Sequence, residues 1–292
     1  MIINVNLVQS LIQEQFPEWS HLEIKPVECQ GWDNRTFLLG DSMLVRLPSA
    51  ACYSDKVLKE QKWLPKLAPY LPLAIPTPVA LGKPNVEYPW NWSIYKWIEG
   101  QTVSDTTVQD QKQLARDLAY FLHALQCIDT TGGPMAGAHN FYRGGLLQMY
   151  DNEVEQALQK LTNRIDTKLC AQIWNEALSS VWSKTLVWVH GDIAVGNLLV
   201  KNGRFCAVID FGGVAIGDPA CDYVIAWNFF DYESREIFKK AVSADEGTWS
   251  RARGWALWKA LIVVAQLPGA DASQQEKSRK ILEKIIKEYS HT

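Results

Sequence analysis

The stretch from His190 to Gly212 constrains this chain more than any other. Leu198-Leu199-Val200 and Phe205 to Ile209 are strand-like runs, and Lys201-Asn202-Gly203-Arg204 between them is a strong turn signal. Folding that hairpin brings Asn197 and Asp210, which flank it, to the same open end. Asp192 lies just before, within His190-Gly191-Asp192-Ile193-Ala194-Val195-Gly196-Asn197, and Asp210 opens Asp210-Phe211-Gly212. Two carboxylates and a carboxamide are therefore expected to converge on one point.

Hard oxygen donors of this kind suit Mg²⁺, which prefers one or two carboxylates plus phosphate oxygens to an all-protein cage. Asp192 is then free to accept a hydrogen bond from an attacking hydroxyl. Phosphoryl transfer needs in-line positioning and charge neutralisation above all, and this set supplies both.

Composition narrows the alternatives. The 292 residues are 47% hydrophobic and 21% charged, which excludes a disordered or low-complexity chain and allows a sizeable core. Lys and Arg total 29 against 32 Asp and Glu, without the basic excess of a nucleic-acid or membrane-surface binder. The cysteines at 29, 52, 127, 170, 206 and 221 show no CxxC spacing, so neither a zinc ribbon nor a dithiol redox site is indicated. The start has no basic leader, its first positive charge being Lys25. The apolar segment from Trp255 to Leu267 is broken by Lys259 and falls short of a bilayer span. A reduced, cytoplasmic protein with no membrane and no nucleic-acid partner is expected; oligomeric state is not legible.

Along the chain, the first hundred residues read as strands with one helix. Leu22 to Val27 alternates as a half-buried strand does, and Thr36 to Leu39 and Met43 to Leu47 flank a Gly40-Asp41-Ser42 turn. Asp55 to Leu67 reads as the helix, with Pro65 predicting a break near its end. Pro78 to Leu81 and Trp92 to Ile98 are further strand candidates. Beyond Glu99-Gly100-Gln101 the pattern turns helical, with Leu114, Leu118, Phe121, Leu122 and Leu125 on one face. Residues 132–145 are glycine-rich and read as a long loop, and helices resume around 150–182. After the 198–209 hairpin come helices to the end, the last opening on a capping-box pattern at Ser273 and Glu276. The fold class expected is α+β, with a small β-rich lobe ahead of a larger helical one.

The HGDxxxxN motif followed by a strand and IDFG resembles the signature of the aminoglycoside phosphotransferase family, within the protein-kinase-like fold; Gly217-Asp218-Pro219 follows as well. Gln30 to Phe37 and Leu44 to Pro48 look like that family's first strands, and Trp92 to Gly100 like its inter-lobe hinge. Arg253-Gly254-Trp255-Ala256-Leu257 resembles a helix of the macrolide and 2''-aminoglycoside kinases. The resemblance implies a nucleotide-binding lobe at 1–98 and a helical acceptor lobe at 99–292. It implies that Asp192 is catalytic, that Asn197 and Asp210 bind Mg²⁺, and that His190 supports the loop. It places the backbone of Lys96 and Ile98 at the purine of ATP or GTP. Where protein kinases have a glycine-rich loop, only Gly31 remains, and Arg46 stands at the position of the strand-three lysine, with Glu60 as its helix partner.

The expected activity is transfer of the γ-phosphoryl of ATP or GTP to a hydroxyl of an aminoglycoside- or macrolide-like acceptor. A metabolite kinase for a choline- or homoserine-type alcohol, or a non-catalytic nucleotide-binding pseudokinase, is the alternative. Asp222, Asp231 and Glu233 are the candidate acceptor residues, since acidic groups suit a cationic substrate; Asp151, Glu153 and Glu155 are further acidic groups in the helical lobe. Trp227, Trp255 and Trp258, at helical spacing, read as core more readily than as an acceptor pocket.

Overall fold

The computed structural model describes residues 2–27, 31, 33–267 and 269–290. The chain begins with a helix that the strand-dominated reading of this region does not contain, α1 (Val5–Gln15). Asn4 caps it by accepting from the Leu7 N–H at 3.0 Å, and Val8, Leu11 and Ile12 form a buried stripe at helical spacing. The stripe packs on an antiparallel sheet of β1 (Ile24–Pro26), β2 (Asn34–Leu39), β3 (Met43–Pro48), β4 (Pro78–Gly82) and β5 (Trp92–Lys96), in the order β1-β2-β3-β5-β4. The expected hairpin is present: Leu39 faces Met43 across a turn in which Gly40 takes φ +59°.

The helix between β3 and β4, α2 (Ala51–Leu67), starts four residues before Asp55 and ends two after Pro65. Pro65 sits in the last turn, where one lost backbone hydrogen bond ends the helix rather than kinking it. Its inner face buries Val57, Glu60, Trp63, Leu64 and Leu67. A glutamate in that company requires a partner, and the site below supplies two.

The larger lobe continues through β6 (Gln101–Thr102), α3 (Gln111–Gln126), α4 (Asp151–Lys160), α5 (Thr167–Ser179), β7 (Val187–Val189), β8 (Leu198–Lys201), β9 (Arg204–Val208), β10 (Ala215–Gly217), α6 (Ile225–Asn228), α7 (Tyr232–Ala241), α8 (Glu246–Val264) and α9 (Ala272–Tyr289). Two small sheets, β6-β8-β9 and β10-β7, carry the loops that matter. Three-residue strands such as β7 and β10 leave no periodicity for the sequence to reveal. The α9 capping box is Asp271 with Gln274, not Ser273 with Glu276; Ser273 is already inside the helix.

α8 buries residues around nearly its whole circumference, with Lys259 exposed, the mark of a helix held inside the lobe. Trp227, Trp255 and Trp258 are core residues, as their spacing suggests. Two of its arginines are paired internally. Arg251 Nε donates to Asp218 Oδ2 at 2.6 Å, and Arg253 Nε donates at 3.4 Å to Glu288, which also accepts from Trp227 and Trp249. Gly254 lets α5 approach, since a Cβ there would stand 2.6 Å from the Ala177 Cβ. No helix among the described residues is long and apolar enough to cross a membrane.

Candidate active site

The β8–β9 hairpin closes as its turn residues demand. Asn202 and Gly203 both take positive φ, 53° and 73°, as a two-residue turn with the right-handed twist of its strands requires. At the open end the Ile209 N–H donates to the Asn197 carbonyl at 2.8 Å, so Asn197 and Asp210 lie side by side as the spacing implies.

The preceding loop is held from below. His190 is fully buried; its Nδ1 accepts from the Asp192 N–H at 3.2 Å and its Nε2 lies 3.1 Å from the Ile209 carbonyl. That pattern assigns the ring proton to Nε2 and makes His190 a strut between the two halves of the motif. Gly191 takes φ +81°, and a Cβ there would stand 2.6 Å from the Gly213 carbonyl oxygen, so only glycine fits. Asp192 emerges exposed. Asn197 Nδ2 donates to the Asp192 carbonyl at 2.9 Å and to its Oδ2 at 3.1 Å, fixing the carboxylate.

Asp210 adopts a left-handed backbone, φ 65° and ψ 65°, an unfavourable conformation for a non-glycine residue that sites of chemistry often retain. Arg46 ties it to the small lobe: Nη2 donates to Asp210 Oδ1 at 3.2 Å, and Nη1 lies 3.3 Å from Glu60 Oε1. Tyr95 donates its hydroxyl to the other Glu60 oxygen at 2.5 Å and lies under the guanidinium. With side chains 15%, 4% and 32% exposed, Arg46, Glu60 and Asp210 form a buried bridge between lobes rather than a surface pair. Burial works against the charge of Asp210, but Arg46 and Lys56 outweigh it and hold the carboxyl below its ordinary range. Tyr95 is pushed far up by burial first and by Glu60 second.

Two lysines of α2 crowd the same mouth. Lys56 pairs with Asp33 and lies 5.4 Å above the Phe141 ring. Lys59 Nζ is 3.0 Å from His139 Nδ1; burial, and then the charge of Lys56, lower its pKa to about 8. A folded-state pKa below the unfolded value near 10.5 means that charged Lys59 costs stability below about pH 8. The cost is withdrawn as pH rises through the interval up to about 10.5. Lys59→Gln is therefore expected to raise stability at pH 7 by on the order of 1 kcal/mol after allowance for solvent screening, or about 2–4 °C in Tm. The gain should vanish by about pH 10.5 in thermal melts across the range; a gain independent of pH would disprove it.

The remaining expected site residues separate. Lys96 anchors the strand end through its N–H to the Thr77 carbonyl at 2.9 Å, and the Ile98 N–H makes no hydrogen bond among the described residues. Gly31 is exposed with open space around its Cα, its carbonyl accepting from Arg35 at 2.8 Å; its neighbours Gln30 and Trp32 lie outside the described residues. Asp222 is not an acceptor residue. It is wholly buried, and its oxygens accept from the His190 N–H at 2.7 Å and the Gly191 N–H at 2.8 Å, so it anchors the loop from inside. Asp231 caps α7 by accepting from the Ser234 N–H at 2.7 Å, and Glu233 pairs with Lys112; neither hydrogen-bonds to Asp192, Asn197 or Asp210. The role of Asp222 has a sequence signal: a lone carboxylate in the apolar run from Pro219 to Trp227 needs an internal partner.

No three of His, Cys, Asp and Glu among the described residues group as a metal cage. The donor set here nonetheless fits Mg²⁺: Asp210 keeps one oxygen clear of Arg46, and Asn197, donating only through Nδ2, keeps its Oδ1.

An antiparallel small lobe, a helical large lobe and a loop-hairpin pair at their junction define a protein-kinase-like phosphotransferase architecture. Residues 23–256 match the model of the Phosphotransferase enzyme family, and the chain belongs to that family. Solved structures share the fold over nearly the whole chain. The GDP and kanamycin complex of APH(2")-IIia superposes with a TM-score of 0.74 at 20% identity, covering 96% of this chain and 98% of the other. The streptomycin–ATP complex of APH(2")-IIa gives 0.61 at 18%, covering 97% of each chain. The macrolide 2'-phosphotransferase MphH of Brachybacterium faecium gives 0.63 at 18%, covering 95% and 97%. No curated protein sequence matches.

Proposed function

We propose that this chain is a Mg²⁺-dependent small-molecule kinase, moving the γ-phosphoryl of ATP or GTP to a hydroxyl of its acceptor. The observation that carries the reading is the exposed Asp192 carboxylate, oriented by Asn197 and set beside Asp210. Asp192 accepts the hydroxyl proton as the oxygen attacks the γ-phosphorus; the new O–P bond forms, the bridge to the β-phosphate breaks, and the nucleoside diphosphate leaves. Asn197 and Asp210 would hold Mg²⁺, whose charge offsets that of the phosphate oxygens. Arg46, braced by Glu60 and Asp210, turns its remaining N–H groups to the phosphates, and Gly31 lies in the loop between β1 and β2. The Ile98 N–H, without a hydrogen bond among the described residues, and the Lys96 backbone suit the purine edge, with 1–98 as the nucleotide lobe and 99–292 as the acceptor lobe.

Nucleotide complexes among the structural neighbours, with GDP and with ATP, support a nucleoside triphosphate donor without choosing the base. Aminoglycosides and macrolides are the first acceptors to assay, because kanamycin, streptomycin and macrolides figure among the neighbours. Small alcohols belong in the same panel. Coupled release of ADP or GDP should depend on both Mg²⁺ and acceptor, with turnover of roughly 1–100 per second for a good substrate. Nucleotide binding with no turnover over the whole panel would make the protein a non-catalytic nucleotide binder.

A further inference from the structure

Arg143 and Lys259 are charged groups at the catalytic loop that the mechanism above leaves unused. Arg143 follows Phe141 and Tyr142, both forced into the left-handed region at φ 54° and 52°. Its guanidinium carbon lies 5.8 Å from the Trp255 ring and 5.6 Å from the Trp258 ring, and Nη1 reaches the Gly191 carbonyl at 3.4 Å. Gly191 is the residue before Asp192. Arg46, Arg251 and Arg253 each pair with a carboxylate; Arg143 pairs with none among the described residues, and its Nε is buried without a hydrogen bond.

Lys259 follows Trp258 on α8, its Nζ 5.8 Å from that ring. Partial desolvation of its ammonium and then the charge of Arg143 lower its pKa, while Asp192 and Glu153 act in the other direction. Glu153 is engaged by Trp258 Nε1 at 2.8 Å. Arg143 and Lys259 thus add two positive charges on this side of Asp192, and the Arg143 guanidinium has no ion-pair partner among the described residues. A partly desolvated arginine without an anion is costly, and its planar fork matches carboxylate or phosphate oxygens.

We infer that the acceptor alcohol carries an anionic group, a carboxylate or a phosphate, which Arg143 binds with help from Lys259 while the hydroxyl faces Asp192. A polycationic acceptor is disfavoured by the same charges. The inference deepens the kinase reading and rests on it for the identity of the pocket.

The test uses the whole chain and defined probes: glycerate, glycerol 2-phosphate, neutral glycerol and polycationic kanamycin. Calorimetric titration and MgATP-dependent ADP release are measured for each. The anionic probes should outperform glycerol at least tenfold in affinity or in kcat/KM. Comparison of glycerate with glycerol 2-phosphate tells carboxylate from phosphate. Arg143→Gln should bring the ratio of anionic to neutral probe close to one, Arg143→Lys should restore part of it, and Lys280→Gln, exposed on α9, should leave it standing. Lys259→Gln, at an exposed position, should lower the ratio severalfold and covers the case in which Arg143→Gln fails to fold. Preference for kanamycin, equal treatment of glycerol and the anions, or an anion preference that survives Arg143→Gln would overturn the inference. Kanamycin turnover would do so while leaving the kinase reading intact; anion binding through Arg143 with no turnover of any probe would count against the kinase reading instead.

Discussion

Asp192→Ala is expected to fold normally, bind MgATP, and transfer phosphoryl at less than about a thousandth of the wild-type rate. A positioned general base contributes roughly 10²–10⁴-fold, and here the same carboxylate also aims the hydroxyl. Stability should hardly change, because the side chain is exposed and, among the described residues, accepts a single side-chain hydrogen bond, from Asn197 at 3.1 Å. The paired measurement is kcat by coupled ADP release and Tm by calorimetry. A rate within tenfold of wild type, at an unchanged Tm, would remove Asp192 from the chemistry.

Asp222→Ala should do the opposite, damaging the fold and the activity together. Both oxygens of Asp222 are occupied by backbone N–H groups, and burial raises its pKa while those two bonds oppose the rise. Deleting the carboxylate leaves the N–H groups of His190 and Gly191 buried without acceptors, at about 1–3 kcal/mol each. A loss of roughly 2–5 kcal/mol is expected, together with a large fall in kcat as the segment carrying Asp192 loosens. Asp222→Asn keeps the volume but offers an amide where one N–H needs an acceptor, so it should fall between the two. Urea denaturation measures the first effect and turnover well below the unfolding midpoint the second. If Asp222→Ala changed only the KM for acceptor, the residue would be a substrate contact and not an anchor.

Much of the site was legible because its parts are close in sequence and bound by strong local rules. An Asn-Gly turn between two short apolar runs dictates a hairpin, and a hairpin dictates that its flanking residues meet. The small-lobe strands and the α3 stripe follow from periodicities of the same local kind. Arg46 and Glu60 were readable as a pair, but only folding shows that the pair is buried and that it also reaches Asp210, 164 positions away. Burial and pairing are what the sequence leaves open. Asp222, Asp231 and Glu233 are the same chemical type, and nothing in their immediate neighbours separates an internal anchor from a helix cap or a surface partner. Arg143 is not legible in the sequence, because a single arginine in a glycine-rich loop carries no pattern.

What the chain alone determined is therefore the set of reacting groups and the turn that gathers them, since backbone preferences act over a few residues whatever surrounds them. Which carboxylate is desolvated, which cation lacks a partner and which arginine joins the lobes were decided by the tertiary structure. Burial and electrostatic pairing depend on what distant segments bring into contact, and a string of residues holds no record of dielectric or distance until it folds.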